Sequence, residues 1–267
     1  MVTDVAGRLR ATGCVFAEEE ARILLATARA PEELEAMVAR RAGGEPLEHV
    51  VGWAEFCGLR ILVEPGVFVP RRRSEFLVSV AAGLVRSRGA CAGSPVIADL
   101  CCGTGALGLA IAAGAGFSEL HAADLDPAAV ACARRNVEPA GGRVHTGDLF
   151  AALPGPLRER IDVLICNAPY VPTEEIAFMP AEARDHEARM ALDGGSDGLA
   201  ILRRVTAEAG AWLASGGVLL VETSERQAPA MAAAMATAGL GAQVHEDDES
   251  GATVVTGLRQ PVHRITG

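Results

Sequence analysis

The sequence predicts an α/β fold built on a mostly parallel, Rossmann-like sheet, and three observations carry that prediction. Short apolar runs alternate with helical stretches from residue 96 onward, the pattern of a sheet covered by helices on both faces. A glycine-containing turn, CCGTG, follows the first of these runs and opens an apolar helix. Asp124 ends the second run, 19 positions after Gly105, where open α/β sheets hold the ribose of a bound ligand.

Taken in order, residues 1–45 are expected to form a small helical domain. Apolar positions Val15, Ile23, Leu24, Leu25, Leu34, Met37 and Val38 stand among Arg and Glu over 4–42, with a break near Ala30-Pro31 and a stop at Gly43-Gly44. Two or three short helices are too little for an independent core and are expected to pack on the rest of the chain. Residues 46–75 are expected to form a linking β-hairpin, with strand-like runs at 49–53 and 59–63 around Gly58. The main domain covers 76–267. It opens with an apolar helix over 76–85 and a loop over 89–95. Strands follow at 96–100, 119–124, 143–146, 161–166 and 218–223, with helices at 106–113, 127–136, 199–214 and 228–238; Trp212 stands near the end of the third. Strands at 243–245 and 253–258, separated by the polar turn 246–251, predict an antiparallel hairpin at the sheet edge.

Composition narrows the function. The 267 residues are 50% hydrophobic and 22% charged, the balance of a soluble enzyme with a substantial core. The longest apolar stretches are too short to span a bilayer and MVTDVAGRLR lacks a signal-peptide core, so the expected location is the cytoplasm, with no membrane partner. All 24 basic residues are Arg, and the net charge of −10 argues against non-specific binding to nucleic acid. The seven cysteines include no CxxC pair, and Met190 stands where a second zincin histidine would follow His186-Glu187. No metal site is expected; the cysteines read as buried free thiols.

Three signals converge on one sheet edge. The turn after Asp99-Leu100 carries Gly103 and Gly105, which let backbone approach a ligand closely. Asp124 can accept hydrogen bonds from ribose hydroxyls, yet the glycine pattern is not GxGxxG and no phosphate cradle is in place. That combination favours a nucleoside ligand without phosphates, such as S-adenosylmethionine. Asp148, in GDLF after the third strand, can reach an adenine amine or simply cap a turn. The third signal is ICNAPYVP, which follows the fourth strand and leaves the sheet at the same edge.

At this point the sequence resembles the HemK/PrmC protein-(glutamine-N5) methyltransferases, whose hallmark is NPPY. The likeness covers nearly the whole chain: PLEHVVGWAEFCGLRILVEPGVFVPRRRSE, DLCCGTGALGLAIA, HAADLDPAAVACARRN, GDLF, HEARMALDGGSDGL and GGVLLVETSERQ follow one another in the family's order. It implies a class I methyltransferase sheet with an antiparallel last strand. It also implies S-adenosyl-L-methionine as cofactor, with S-adenosyl-L-homocysteine as product, held by Asp99, Cys101, Gly103, Gly105, Asp124, Leu125, Asp148, Leu149 and Asn167. The catalytic and substrate-binding residues it implies are Asn167, Ala168, Pro169 and Tyr170, with Arg71 on the substrate side. In that scheme the Asn167 side-chain oxygen and the Ala168 carbonyl each accept one N–H of the target amide, Tyr170 forms an aromatic wall, and Pro169 sets the chain direction. The implied partner is a protein bearing a glutamine, including the GGQ loop of peptide-chain release factors.

The chain departs from the family pattern at several points. Ala168 replaces a proline, Cys101 replaces the first glycine of the cofactor turn, Arg72, Arg73 and Ser74 differ within the IPRPxTE-like stretch, and Ala188 replaces a proline after Glu187. Cys101 is expected at a position that does not need positive φ. Two alternatives stay open on the residues. One is adenine-N6 methylation of nucleic acid, which uses a similar site and requires a basic groove and base flipping; the other is a non-catalytic cofactor-binding protein.

Overall fold

In the computed structural model, which describes residues 2–87, 94–116 and 119–261, the chain begins with helices α1 (Val2–Ala11), α2 (Ala17–Thr27) and α3 (Pro31–Ala42). Pro31 takes the start of α3, where its missing N–H leaves no helical bond unmade. A short helix α4 (Leu47–Val51) completes a separate apolar cluster, in which Val50 joins the fully buried Leu9, Leu24 and Val38.

That helix corrects the expected strand over 49–53. Pro46 leads into it, and Gly52 ends it at φ 80°, donating its N–H to the Glu48 carbonyl at 2.8 Å. A proline start and a left-handed glycine stop outweigh the β-propensity of the two valines between them. The hairpin therefore begins later, with β1 (Trp53–Phe56) antiparallel to β2 (Leu59–Leu62). Asn136 fastens it: its Oδ1 accepts the Leu62 N–H, and its Nδ2 donates to the Leu62 and Thr104 carbonyls, all at 2.9 Å.

After α5 (Glu75–Ser87) come β3 (Val96–Leu100), α6 (Ala106–Ala115), β4 (Glu119–Asp124), α7 (Pro127–Val137), β5 (Arg143–Thr146) and β6 (Ile161–Cys166). A long excursion carrying α8 (Ala181–His186) leads to α9 (Ala200–Ala209), β7 (Leu213–Thr223), α10 (Ala228–Thr237), β8 (Leu240–Asp247) and β9 (Ala252–Arg259). Most of the loop expected over 89–95 lies outside the described residues.

Among the described residues these strands form one sheet in the order β5-β4-β3-β6-β7-β9-β8. The first five are mutually parallel, while β9 runs antiparallel to both β7 and β8. Ile97, Val163, Ile165 and Leu220 face α5, α6 and α7; Ala98, Leu100, Leu164 and Leu219 face α9 and α10. Burial on both faces is why the central strands read as unbroken apolar runs. Each fully buried Leu or Ile contributes about 1.5–3 kcal/mol relative to exposure.

The helix expected over 199–214 ends at Ala209, and β7 begins five residues before the expected Val218. Leu213 pairs with Ile161, and a register shift precedes the Val163–Val218 pair. Gly217 makes that irregularity possible, because a Cβ there would lie 2.6 Å from the Ile161 carbonyl oxygen. Strand pairing at the bulge overrides the local helical preference of Ala-Trp-Leu-Ala. The thiols also differ from expectation: Cys102, Cys132 and Cys166 are buried, but Cys57 is exposed and Cys14 and Cys101 are half-buried.

Candidate active site

Between β3 and β6 the sheet's strand order reverses direction, since the chain passes from β3 to β4 on one side and returns to β6 on the other. Ligands of open α/β sheets bind outside the carboxyl ends of the strands at such a point. Here a cavity of about 210 Å³ opens there, and its walls include Gly103, Asp124, Leu149 and Asn167 from the ends of β3, β4, β5 and β6.

The first wall is the turn after β3. Cys102 donates its N–H to the Ala123 carbonyl at 3.1 Å, and Gly105 donates to Cys102 at 2.7 Å. Asp124 ties the neighbouring turns together: Oδ2 accepts the Gly103 N–H at 2.8 Å and Oδ1 the Asp126 N–H at 2.9 Å. Burial raises the Asp124 carboxyl above its ordinary range, against these two amides, which favour its charged form. Cys101 sits at φ 54°, contrary to the expectation for a residue in place of glycine. A non-glycine residue in that region stores about 1–2 kcal/mol, sustained by the surrounding packing.

Most of the expected cofactor residues line the cavity: Cys101, Gly103, Asp124, Leu125, Asp148, Leu149 and Asn167. Asp99 and Gly105 are absent from its walls. Asp99 is fully buried behind the turn, where its Oδ2 accepts the Gly108 N–H at 2.9 Å. Gly105 faces α7, and a Cβ there would come within 2.6 Å of Val137 Cγ2 at a φ of 77°. Its glycine is required by helix packing and backbone conformation. Asp148 is held by Arg204, whose Nη2 donates to Oδ2 at 2.6 Å.

The second wall is the segment 167–171, and Asn167, Ala168, Pro169 and Tyr170 all line the cavity. Asn167 Nδ2 lies 3.4 Å from both Ser74 Oγ and Glu222 Oε2. Tyr170 donates its hydroxyl to Glu222 Oε1 at 2.8 Å, and Arg73 Nε donates to the same oxygen at 3.1 Å. Arg73 also donates to the Tyr170 hydroxyl oxygen, with its guanidinium 5.6 Å from the ring centroid. Burial, followed by the Glu222 charge, raises the Tyr170 phenol above its ordinary value. Behind the segment, Gln227 Nε2 donates to the carbonyls of Tyr170 and Asp197, both at 2.9 Å. Arg71 lines the cavity with its guanidinium directed to Glu187.

The family model described as Methyltransferase small domain matches residues 59–244. The chain is 40% identical to a release factor glutamine methyltransferase of Streptomyces coelicolor over 191 residues, covering 72% of this chain and 67% of the relative. A release factor glutamine methyltransferase of Deinococcus radiodurans is 35% identical over 271 residues, covering 92% and 93% of the two chains. The chain belongs to the release factor glutamine methyltransferase family. A solved methyltransferase from Pyrococcus furiosus shares the fold, with a TM-score of 0.54 at 17% identity over 76% of this chain and 90% of that one.

As a member of this methyltransferase family, the chain takes S-adenosyl-L-methionine as its cofactor, and the donor set suits that group. Asp124 keeps acceptor capacity beyond its backbone partners, Leu125 and Leu149 add apolar surface, and a Cβ at Gly103 would meet nothing within 4 Å. A nucleoside with a sulfonium needs these features and no phosphate cradle. Reasoning from sequence passed over Glu222, Ser74 and Gln227. Glu222 and Gln227 stand in the segment GGVLLVETSERQ, where Glu222 ends the apolar run VLLV, but nothing local indicated which side chains they would meet.

Proposed function

We propose that the chain transfers the methyl group of S-adenosyl-L-methionine to the side-chain amide nitrogen of a protein glutamine, with a peptide-chain release factor as the substrate protein. One observation carries this reading: Asn167, Ala168, Pro169 and Tyr170 share a single cavity with Asp124 and Gly103. A cofactor turn and an amide-binding segment thus face the same space.

In this reading Asp124 holds the ribose hydroxyls, with Gly103 and Cys101 beside the nucleoside, Leu125 and Leu149 against its base and Asp148 near the adenine amine. Bound there, the cofactor supplies an electrophilic methyl carbon on a sulfonium. Asn167 Oδ1 and the Ala168 carbonyl each accept one N–H of the glutamine amide. An amide nitrogen is a poor nucleophile because its lone pair is delocalised, and two acceptors raise its electron density as positive charge develops. Each such contact is commonly worth about 3 kcal/mol in the transition state. Holding the nitrogen in line with the methyl carbon lowers the barrier further through proximity. The methylated nitrogen then releases one proton, and the departing thioether is S-adenosyl-L-homocysteine. Tyr170 packs on the planar amide, Pro169 sets the chain direction, and Arg71 contributes to the protein-facing side.

The test is to supply methyl-labelled cofactor with a purified release factor, a glutamine peptide and an adenine-containing duplex, then locate the label. Label on the release-factor glutamine is expected; label confined to adenine overturns the reading. Asn167→Ala is expected to retain cofactor binding and lose transfer, so full activity in that variant would remove Asn167 from the chemistry.

A further inference from the structure

The carboxylate of Glu222 lies at the end of β7 with its side chain only 2% exposed, and it meets three side chains that line the cavity: Tyr170, Arg73 and Asn167. Its Oε1 accepts from the Tyr170 hydroxyl at 2.8 Å and from Arg73 Nε at 3.1 Å. Its other oxygen, Oε2, faces Asn167 Nδ2 at 3.4 Å. With Oε1 engaged by two donors, the carboxylate is locked in rotation, and Oε2 is the face left for Asn167.

We infer that Glu222 is a positioning residue: its carboxylate selects which end of the Asn167 amide faces the cavity. An asparagine side chain carries an oxygen acceptor and an NH2 donor of nearly equal shape, so packing alone does not choose between its two orientations. Glu222 does choose, because a carboxylate only accepts. Turned the other way, Asn167 Oδ1 would oppose Oε2 of a carboxylate whose side chain is almost fully buried, where repulsion between acceptors is weakly screened. At 3.4 Å the contact is too long for a strong hydrogen bond; it is the sign of the interaction that orients the amide. Ser74 Oγ, also 3.4 Å from Nδ2, donates or accepts and so cannot make the selection. The result is that Asn167 Oδ1 has no hydrogen-bond partner among the described residues and remains an acceptor, the group a donor-bearing substrate amide requires.

The same arrangement gives Arg73 a role. Arg73 places a cation against Glu222 and over the Tyr170 ring. It supplies the counter-charge for a carboxylate that is nearly inaccessible to water.

This inference rests on Asn167 accepting from the substrate amide, and the experiment separates the two claims. Wild type, Asn167→Ala, Glu222→Gln, Asn167→Asp and the double variant Asn167→Asp/Glu222→Gln are assayed with methyl-labelled S-adenosylmethionine and a purified release factor. Cofactor binding is measured in parallel by calorimetry. Glu222→Gln is expected to lower kcat by about 10- to 100-fold while cofactor affinity changes less than about threefold. Asn167→Asp sets two carboxylates against each other and is expected to lose more than that. In the double variant the amide introduced at position 222 can donate to one oxygen of the carboxylate introduced at position 167 and leave the other as acceptor. Activity should then recover at least about tenfold over Asn167→Asp alone. A purely structural role for Glu222 predicts no such recovery.

Wild-type kcat in Glu222→Gln alongside an inactive Asn167→Ala overturns the positioning role and leaves the amide-acceptor reading standing. A double variant no better than Asn167→Asp, or parallel loss of cofactor affinity in Glu222→Gln, overturns it as well. Activity in Asn167→Ala would sink both claims together.

Discussion

Arg71 Nη2 donates to both carboxylate oxygens of Glu187, each at 2.7 Å, across 116 residues of sequence. Glu187 Oε1 also accepts the Val69 N–H at 3.1 Å, and the Ala188 N–H meets the Gly66 carbonyl at 3.2 Å. The linker between the hairpin and α5 is thereby latched to the excursion that follows β6, and both segments contribute to the cavity wall. The Glu187 side chain has no exposed surface while Arg71 retains a third of its own. Burial raises the Glu187 carboxyl and the Arg71 charge opposes it.

Removing one partner of this pair should cost more than removing both. Arg71→Ala leaves a buried carboxylate without its counter-charge, an expected loss of about 1–3 kcal/mol after allowing for the partial exposure of Arg71. Adding Glu187→Gln removes the stranded charge, so the double variant should be more stable than the sum of the single effects by about 1 kcal/mol. Urea unfolding of the four proteins measures this. Strict additivity would mean that the latch contributes no pairwise energy.

Two Gly→Ala changes should have opposite outcomes. At Gly198, with φ of 76°, a Cβ would lie 2.2 Å from the Tyr170 carbonyl oxygen and 2.3 Å from Gln227 Nε2. Gly198→Ala must displace the brace behind 167–171, and transfer activity is expected to fall by at least about 100-fold while the sheet persists. At Gly114, inside α6 and with open space around it, Ala should stabilise by about 0.5–1 kcal/mol without affecting activity. Circular dichroism, thermal melts and the transfer assay distinguish the pair; an active Gly198→Ala would contradict the steric account.

Stability should also carry a titration from behind the cofactor turn. Burial pushes the Asp99 carboxyl up to about 7, with the Gly108 amide opposing the shift and Asp124 adding to it. Asp99 Oδ1 has no hydrogen-bond partner among the described residues. Because the folded value lies above the ordinary 3.8, the contribution of this group is complete below that pH and fades as pH rises through about 7. Asp99→Asn imitates the neutral form at every pH. Relative to the variant, wild type should therefore gain about 2 kcal/mol between pH 8 and pH 5.5, a shift of several degrees in Tm. A Tm difference that does not change with pH would show that Asp99 does not titrate between pH 5.5 and pH 8 in the folded protein.

Much of this protein was legible before folding because its signals are local. The apolar runs of β3, β4 and β6 are buried on both faces and need no partner to be recognised. The turn after β3, Asp124 at the end of β4 and the Asn-Ala-Pro-Tyr segment after β6 were placed by chain order alone, and parallel strands bring their carboxyl ends to one edge. Local signals also misled where two of them competed. A proline and a glycine converted the expected strand at 49–53 into α4, and pairing to Ile161 began β7 inside what reads as helix.

The sequence by itself determined the succession of elements and the edge at which chemistry collects, because strand burial, turn residues and spacing act over a few neighbouring positions. Tertiary structure alone decided which side chains share the cavity and which oppose one another. Asp99 ends β3 beside the cofactor turn and Gly105 stands in it, yet neither lines the cavity, while Glu222 meets Asn167 from 55 residues away. Such contacts follow from the packing of whole elements around the sheet, and an isolated acid in an apolar strand carries no local mark of the partner it will meet.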